Sequence, residues 1–289
     1  MDVNGKWWNQ PNCVAARRPH PALRGVVSAY IAYEERLLTP VQRRMIAAVA
    51  PVLLIDFGDV RRHIPLGSGE RGEEVGTCPI LTVGSPFTLE MYGRDHGVAV
   101  LFTPPGAFAL FGTPISALAR NWISWGDLIG DRVAELLRER IYHSKDWSNR
   151  FDLLDNTLLK MVSSRSWPSP CGRAWRELEV TTGRITIEAL AKRSHMSRRQ
   201  LERVFQKEVG CTPKRAASVL RFREAFKLIG LRADMSLAEI ANAVGYTDQA
   251  HLSREVVKLG GATPRTVRRD HQLSAREVGG WEENPLRVR

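Results

Sequence analysis

The sequence is poor in cysteine, and its cysteines lie far apart. Four occur in 289 residues, and no two of them form a CxxC pair: Cys13, Cys78, Cys171 and Cys211. This spacing argues against a zinc knuckle and against a disulfide framework, because both need clustered cysteines. Scattered thiols are typical of a reducing compartment, so we expect a cytoplasmic protein.

Long apolar runs and enzyme-type motifs are missing as well. No stretch approaches the roughly 18 uninterrupted apolar residues of a membrane-spanning helix, so we expect no membrane partner. His20, His63 and His96 are too dispersed for a metal signature, and no Ser-His-Asp or Cys-His arrangement has supporting context. The stretch PPGAFALFG lacks the lysine of a phosphate-binding loop. We therefore expect a protein that is not an enzyme, with no catalytic residue, no metal and no cofactor.

The amino-acid composition is that of a globular protein with excess positive charge. Hydrophobic residues make up 43% and charged residues 25% of a chain long enough for two domains. The net charge is +11, and the excess is concentrated in residues 185–270, which hold 17 basic and 9 acidic side chains. A basic region beside a nearly neutral one indicates that one domain meets a polyanion, with double-stranded DNA as the expected partner.

The first half of the chain has the pattern of a β-rich domain. Short apolar runs bounded by Gly, Pro or Asp recur at roughly ten-residue spacing, which predicts a mixed β-sheet or barrel. These runs cover residues 47–57, 80–83, 87–92 and 98–102. Helical patterns follow, the first of them with Asp127 as a predicted N-cap. Residues 1–22 show little periodicity and are predicted to be a flexible N-terminal segment, so the first domain spans residues 23–163.

A proline-rich segment separates this domain from a second one that is entirely helical. The segment SSRSWPSPCG predicts a linker over residues 164–171, because proline excludes a regular helix. The all-α domain is predicted to span residues 172–270 and to be followed by a C-terminal tail, 271–289. The fold class is therefore α+β, with a sheet or barrel and helices first and an all-α domain second.

Two helix-turn-helix units are predicted within the basic region. In the first, Thr186 caps a short helix, and Ser197 with Gln200 forms a capping box that starts a second helix. The same order recurs about 50 residues later, where Ser236 and Glu239 form a capping box. Arg203 aligns with Arg254 at an offset of 51, and GCTP at 210–213 aligns with GATP at 261–264. The region is therefore a diverged internal duplication.

A long helix joins the two units. Thr212 is its predicted cap and Pro213 its first residue, and it extends to about Gly230. We expect one side of it to be buried, through Ala216, Leu220, Ala225, Leu228 and Ile229. Helices that read successive major grooves on one face need centres about 34 Å apart, so bending of the DNA makes up any shortfall in the length of this helix.

The motifs MSRRQLERVFQKEVGCTPKR and SLAEIANAVGYTDQAHLSREVVKLGGATP closely resemble the AraC/XylS family of bacterial transcription regulators. The resemblance implies that two recognition helices, the second helix of each unit, reach base edges in adjacent major grooves. We expect the following residues to contact DNA, with Lys207 on the phosphates: Arg198, Arg199, Glu202, Arg203, Lys207, Gln249, Ala250, Ser253 and Arg254. The sequence departs from the family at Leu252 and Val256, where phenylalanine is frequent, which predicts a thinner core in the second unit.

The segment VAVLFTPPGAFALFGTPISALARNWISWGDLIG is similar to the N-terminal domain of one AraC-type subgroup. This implies a sensor or dimerisation domain, a possible homodimer, a small-molecule effector and contact with RNA polymerase, in an activator more than in a repressor. The aromatic residues expected to line an effector pocket are Phe102, Phe108, Phe111, Trp122 and Trp125, with a plain structural core as the competing interpretation.

Two other functions stay open at this point. A DNA-repair methyltransferase can carry the same type of DNA-binding domain, but its reactive and zinc-bound cysteines need a clustered spacing that this sequence lacks. Alternatively, the chain is a ligand-binding protein whose basic domain serves only as an interaction surface. Enrichment of a specific DNA motif separates the regulator from this third possibility.

Overall fold

The computed structural model describes residues 13–63, 74–75, 80–81, 85–113, 123–162 and 169–277. It confirms the α+β class: an antiparallel sheet comes first, and the helices mostly follow it. The strands are β1 Cys13–Arg17, β2 Val27–Met45, β3 Val52–Asp56, β4 Arg61–His63, β5 Glu74–Val75, β6 Ile80–Leu81 and β7 Phe87–Phe102. The main order across the sheet is β1-β2-β7-β3-β6, and β4 pairs with β5 and β7.

The sheet is organised by two long strands that the sequence did not predict. β2 has 19 residues and β7 has 16, and they pair from Val27 opposite Phe102 to Met45 opposite Phe87. The expected succession of short strands is therefore wrong here. Gly93 and Gly97 suggested strand ends, but both lie inside β7. At Gly97 a side chain would collide with the Tyr33 hydroxyl, 2.6 Å from an ideal Cβ, so glycine permits the close approach of the two strands.

Part of the segment that was predicted to be flexible, residues 1–22, forms the strand β1, so the prediction is wrong for Cys13–Arg17. β1 pairs antiparallel with β2 at the edge of the sheet. Arg17 forms ion pairs with Asp152 at 2.6 Å and with the buried Asp155 at 2.5 Å. Pairing at an edge is a long-range property, so the local sequence gave no sign of it. Residues 1–12 lie outside the described residues.

Helices cover one face of the sheet. They are α1 Pro104–Phe111, α2 Trp125–Ile129, α3 Asp131–Tyr142 and α4 Trp147–Val162. The cap of α2 differs from the prediction, because Ser124 and not Asp127 is the N-cap. Asp127 is the third residue of the helix, and its carboxylate accepts a hydrogen bond from the Ser124 amide. The helix then stops at Gly130, where φ is +90°, and α3 begins in a new direction.

A buried group of charges lies in the sheet. The guanidinium of Arg62 donates two hydrogen bonds to Asp56, at 2.7 and 2.8 Å, and one to Asp95 at 2.8 Å. The Tyr33 hydroxyl donates to Asp56 at 2.7 Å. Burial opposes the charge on Arg62, but Asp56 outweighs this effect and raises its pKa. Burial raises the pKa of Asp95 against the opposing effect of Arg62. Arg62 therefore binds two buried carboxyl groups, and its single positive charge can balance only one of them when both are ionised.

The C-terminal part is helical, as predicted. Its helices are α5 Pro170–Val180, α6 Ile187–Arg193, α7 Arg198–Glu208, α8 Pro213–Leu231, α9 Leu237–Val244, α10 Gln249–Gly260 and α11 Pro264–Glu277. Two predicted boundaries change. Ser169 caps α5, so the end of the predicted linker is already helical, and α11 crosses the predicted start of the tail at residue 271. Pro170 starts α5 because the first helical position needs no N–H donor.

The long helix α8 is the central element of this part. It was expected to bury one side, and most of those residues are buried, but Ala217, Val219 and Phe222 are buried as well. Its neighbours explain this, because α5, α7, α9, α10 and α11 all contact it. A helix that is surrounded in this way holds both helix-turn-helix units in one core.

One turn in the first unit is strained, which leads to a stability prediction. His195 has φ +55°, and its counterpart 50 residues later, Gly245, has φ +82°. We expect His195→Gly to raise the free energy of unfolding by about 0.5–1 kcal/mol, because relief of the left-handed conformation outweighs the backbone entropy that glycine loses. Urea unfolding of the full chain measures the change. Gly245→Ala is the matched control and is expected to destabilise; equal signs for the two variants would contradict the argument.

Candidate nucleic-acid interface

The recognition helices α7 and α10 begin at fixed N-termini. In the first unit, the Ser197 hydroxyl accepts from the Gln200 amide at 3.2 Å, and the Gln200 side chain accepts from the Ser197 amide at 2.9 Å. In the second unit, the Asp248 carboxylate accepts from the His251 amide at 2.7 Å. The predicted capping box of Ser197 and Gln200 is therefore confirmed, and Asp248 caps the second recognition helix. Because a cap fixes the first turn of a helix, it also fixes the directions of the side chains on that turn.

The residues predicted to read bases in the first unit all lie on the exposed side of α7. Arg198 forms ion pairs with Glu202 at 3.3 Å and with Glu188 at 3.5 Å. Arg199 and Arg203 are exposed and form no ion pair or hydrogen bond with the residues that the structure describes. A guanidinium can donate two hydrogen bonds to guanine, so these two arginines are the free donors of this helix.

The second recognition helix exposes a similar row. Gln249, Ala250 and Arg254 are exposed, and Ser253 is half-buried with its hydroxyl donating to the Gln249 carbonyl at 2.9 Å. Within the described part of the chain, the Arg254 guanidinium has no ion-pair partner. Ser253 is thus engaged with its own helix. Gln249 and Arg254 are the strongest hydrogen-bonding groups that this helix offers to a partner.

Lys207 lies in a different place from the other predicted residues. Its Nζ stands 5.4 Å from the centre of the Phe108 ring, which belongs to α1 of the first domain. A cation over an aromatic face is attracted to it by roughly 0.5–1 kcal/mol at an exposed site. Lys207 is thus exposed and in contact with the first domain at the same time.

The cores behind the two recognition helices are closed. Leu201 and Phe205 in the first unit and Leu252 and Val256 in the second are all completely buried. The smaller residues in the second unit therefore leave no exposed apolar surface at those positions.

Polar contacts that no sequence pattern indicated join α8 to the second unit. Arg221 in α8 donates to the Gly183 carbonyl at 3.3 Å, and its guanidinium lies 5.9 Å from the centre of the Tyr246 ring. Ser218 donates to Glu255 of α10 at 2.5 Å. α8 has 19 residues and is about 28 Å long at 1.5 Å per residue. The second unit is therefore bound to α8 at both Tyr246 and Glu255.

The aromatic residues expected in an effector pocket are distributed over several environments. Phe102 and Trp125 are fully buried in the core between sheet and helices, and Phe111 contacts Phe102 edge to face at 5.4 Å. Phe108 faces Lys207 instead, and Trp122 lies outside the described residues. The structure thus uses Phe102 and Trp125 as packing residues of the first domain.

Cys171 and Cys211 have the character of structural residues, whereas Cys13 is exposed on β1. Burial raises the pKa of Cys211 to about 11 and raises the pKa of the fully buried Cys171 as well, and only a thiolate is a good nucleophile. Among the described residues no group of three or more His, Cys, Asp and Glu side chains is arranged to hold a metal ion. No helix in the described ranges is long and apolar enough to cross a membrane.

Comparisons with known proteins match this C-terminal part. A family model described as "Helix-turn-helix domain" matches residues 190–270. The HTH-type transcriptional regulator GbdR of Pseudomonas aeruginosa is 36% identical over 89 residues, which are 31% of this chain and 24% of GbdR. The HTH-type transcriptional activator RhaS of Pectobacterium carotovorum is 34% identical over 89 residues, 31% of each chain.

A solved structure from Chromobacterium violaceum, a transcriptional regulator described as having an AraC-type DNA-binding domain, is 26% identical. It covers 35% of this chain and 91% of its own, with a TM-score of 0.34. The chain spans about a quarter to a third of the length of the two curated relatives. The family model confirms the prediction of a helix-turn-helix domain in this part of the chain, over residues 190–270.

Proposed function

We propose that the protein is a sequence-specific DNA-binding transcription regulator whose two recognition helices enter adjacent major grooves. One observation carries the proposal. Arg203 and Arg254 occupy matching positions of two duplicated units, both are exposed, and neither has an ion-pair partner among the described residues. An exposed arginine at the same place on both recognition helices is suited to bidentate recognition of guanine.

The binding mechanism has two parts. The excess positive charge of residues 185–270 attracts the duplex without regard to sequence, and this part weakens as salt rises. Arg199, Arg203, Gln249 and Arg254 then distinguish sequences at the base edges, while Arg198 and Glu202 hold each other in place. Contacts to phosphates position the protein, and contacts to bases specify the site.

The first domain, residues 23–163, is proposed to control this binding by sensing a small molecule or by pairing subunits. The relatives named as regulators and activators support a role in activation, in which RNA polymerase is a further partner. The proposed DNA-binding domain begins with α5 and ends with α11, so it extends a few residues beyond both predicted boundaries.

We expect Arg203→Ala to weaken binding to the selected site by about 1–3 kcal/mol and to relax one base position. The lost bidentate contact discriminates between bases, so non-cognate DNA is affected less. Selection from a randomised duplex library followed by titration of single-base variants measures both effects. Arg132→Ala is the matched control, because it removes the same charge from an exposed position on α3 of the first domain.

An equal loss on every sequence would remove Arg203 from base readout. Failure of the unaltered protein to enrich any motif would contradict the regulator and favour a basic interaction surface. Transfer of a methyl group from alkylated DNA to a cysteine would instead support the repair enzyme.

A further inference from the structure

A short segment of the first domain is built into the core of the second. Residues 46–50 connect β2 to β3, yet Ala47 is completely buried and Val49 is 8% exposed within the apolar cluster of the C-terminal helices. The Ala47 amide donates to the Leu259 carbonyl at 2.8 Å. A loop of the sheet therefore contacts the end of the second recognition helix through both its backbone and its side chains.

The hydrogen bond satisfies a group that the helix itself cannot satisfy. The last four carbonyls of an α-helix have no partner within the helix, and Leu259 is one residue from the end of α10. The Gly261 amide donates to the Val257 carbonyl at 2.9 Å. The Ala47 amide donates to the carbonyl of Leu259, two residues further along the helix. The first domain thus contributes part of the C-terminal cap of α10.

Neighbouring contacts hold this segment in place. Arg44, just before it, forms an ion pair with Asp270 of α11 at 3.3 Å. An ideal Cβ at Gly261 would lie 3.2 Å from the Pro86 side chain, so the backbone of the second unit approaches the start of β7 closely. Two separate turns of the sheet therefore meet the same end of the second unit.

The first unit does not depend on the sheet in this way. At the offset of 51, Val256 of α10 corresponds to Phe205 of α7, and Gly260 corresponds to Val209, so α10 brings smaller side chains at both positions. Glu208, the counterpart of Leu259, accepts a hydrogen bond from Ser169 next to α5, at 2.8 Å. The end of α7 is thus bonded to Ser169 of its own domain, and its contact with the first domain is that of Lys207 with Phe108 of α1, whereas the end of α10 is bonded to Ala47 in a loop of the sheet.

We infer that residues 46–50 are a positioning element for the second recognition helix and that this unit becomes rigid only when the first domain is docked on it. The contacts lie at the C-terminal end of α10, whereas Gln249 and Arg254 near its start remain exposed, so docking supports readout without covering it. The consequence for DNA rests on the proposed function. The support that residues 46–50 give to α10 does not depend on the proposed function.

Hydrogen exchange of the full chain without DNA tests this dependence. Ala47→Glu places a charge in the buried position, and we expect amides of α10 to exchange about tenfold faster, as loss of a hydrogen bond and of local apolar contacts predicts. Exchange in α7 and in paired residues of β2 and β7 is expected to stay unchanged. Leu38→Glu is the matched control, because it adds the same charge on β2 at a position that is 83% exposed.

The pattern across the elements decides the result. Unchanged exchange in α10, or equal acceleration in α7 and α10, overturns the inference. If the sheet itself loses protection in Ala47→Glu, the milder Val49→Ser replaces it: faster exchange confined to α10 then supports the inference, and any other pattern overturns it. Because no DNA is present, failure here leaves the proposed regulator intact, and failure of motif selection leaves this result intact.

Discussion

Replacing Arg62 by alanine is expected to lower the free energy of unfolding of the first domain by about 3–5 kcal/mol, because it leaves buried carboxylates without a counter-ion. Asp56 and Asp95 both lie within 2.8 Å of the Arg62 guanidinium, and all three side chains are at most 3% exposed. Urea unfolding at neutral pH measures the loss. Arg61→Ala is the matched control: it is the preceding residue of β4, its side chain is exposed, and we expect a change within about 0.5 kcal/mol.

The effect of pH gives this prediction a second readout. Burial already raises the pKa of Asp95, and removal of Arg62 raises it further. A carboxyl whose pKa is higher in the folded state than in the unfolded state favours folding in its protonated form. That contribution is complete below the unfolded pKa and is lost as pH rises through the folded pKa. The destabilisation is therefore expected to be smaller near about pH 4.5, which is close to the ordinary pKa of a carboxyl in the unfolded chain, than near about pH 8. A pH-independent loss would mean that Asp95 is not left as a buried charge.

Removing the matching arginine from each recognition helix is expected to abolish most sequence preference. Arg203→Ala combined with Arg254→Ala is expected to cost about 2–6 kcal/mol at the selected site, roughly 30-fold to 10⁴-fold in affinity. The sites lie on different units and share no contact, so the two losses are expected to add. Titration of the selected duplex and of a scrambled duplex at one salt concentration measures the loss of preference. A double variant no weaker than Arg203→Ala would remove the second unit from readout.

The spacing of the two half-sites tests the same geometry from the side of the DNA. Inserting about 5 base pairs between them turns the second half-site to the opposite face of the duplex, out of reach of α10. We expect the insertion to weaken binding at least as much as Arg254→Ala does, because Gln249 of α10 loses its contact as well. On the inserted duplex, Arg254→Ala is then expected to cause no further loss of site-specific binding. Additive losses would show that the two units do not read one face together.

Interactions between residues close in the sequence could be predicted, and those between distant residues could not. Ser197 with Gln200 and Ser236 with Glu239 act over three residues, so their capping boxes were predicted and are confirmed. The N-terminal strand, the long β2–β7 pair and the fully surrounded α8 were missed or only partly predicted. Each depends on which distant part of the chain packs against the element, and no local sequence pattern specifies that partner.

By itself, the sequence determined where the recognition helices begin, that two such units exist, and that the positive charge is concentrated around them, because caps, turns and charges are properties of neighbouring residues. The folded chain was needed to show that Arg62 binds two aspartates from different strands, that Lys207 lies against Phe108, and that Ala47 bonds the end of α10. Asp56 is six positions from Arg62, but the other partners are 33 to 212 positions apart in the chain. Such contacts form when folding buries polar groups, because a buried polar group needs a hydrogen-bond partner and takes one from the segment that packs against it.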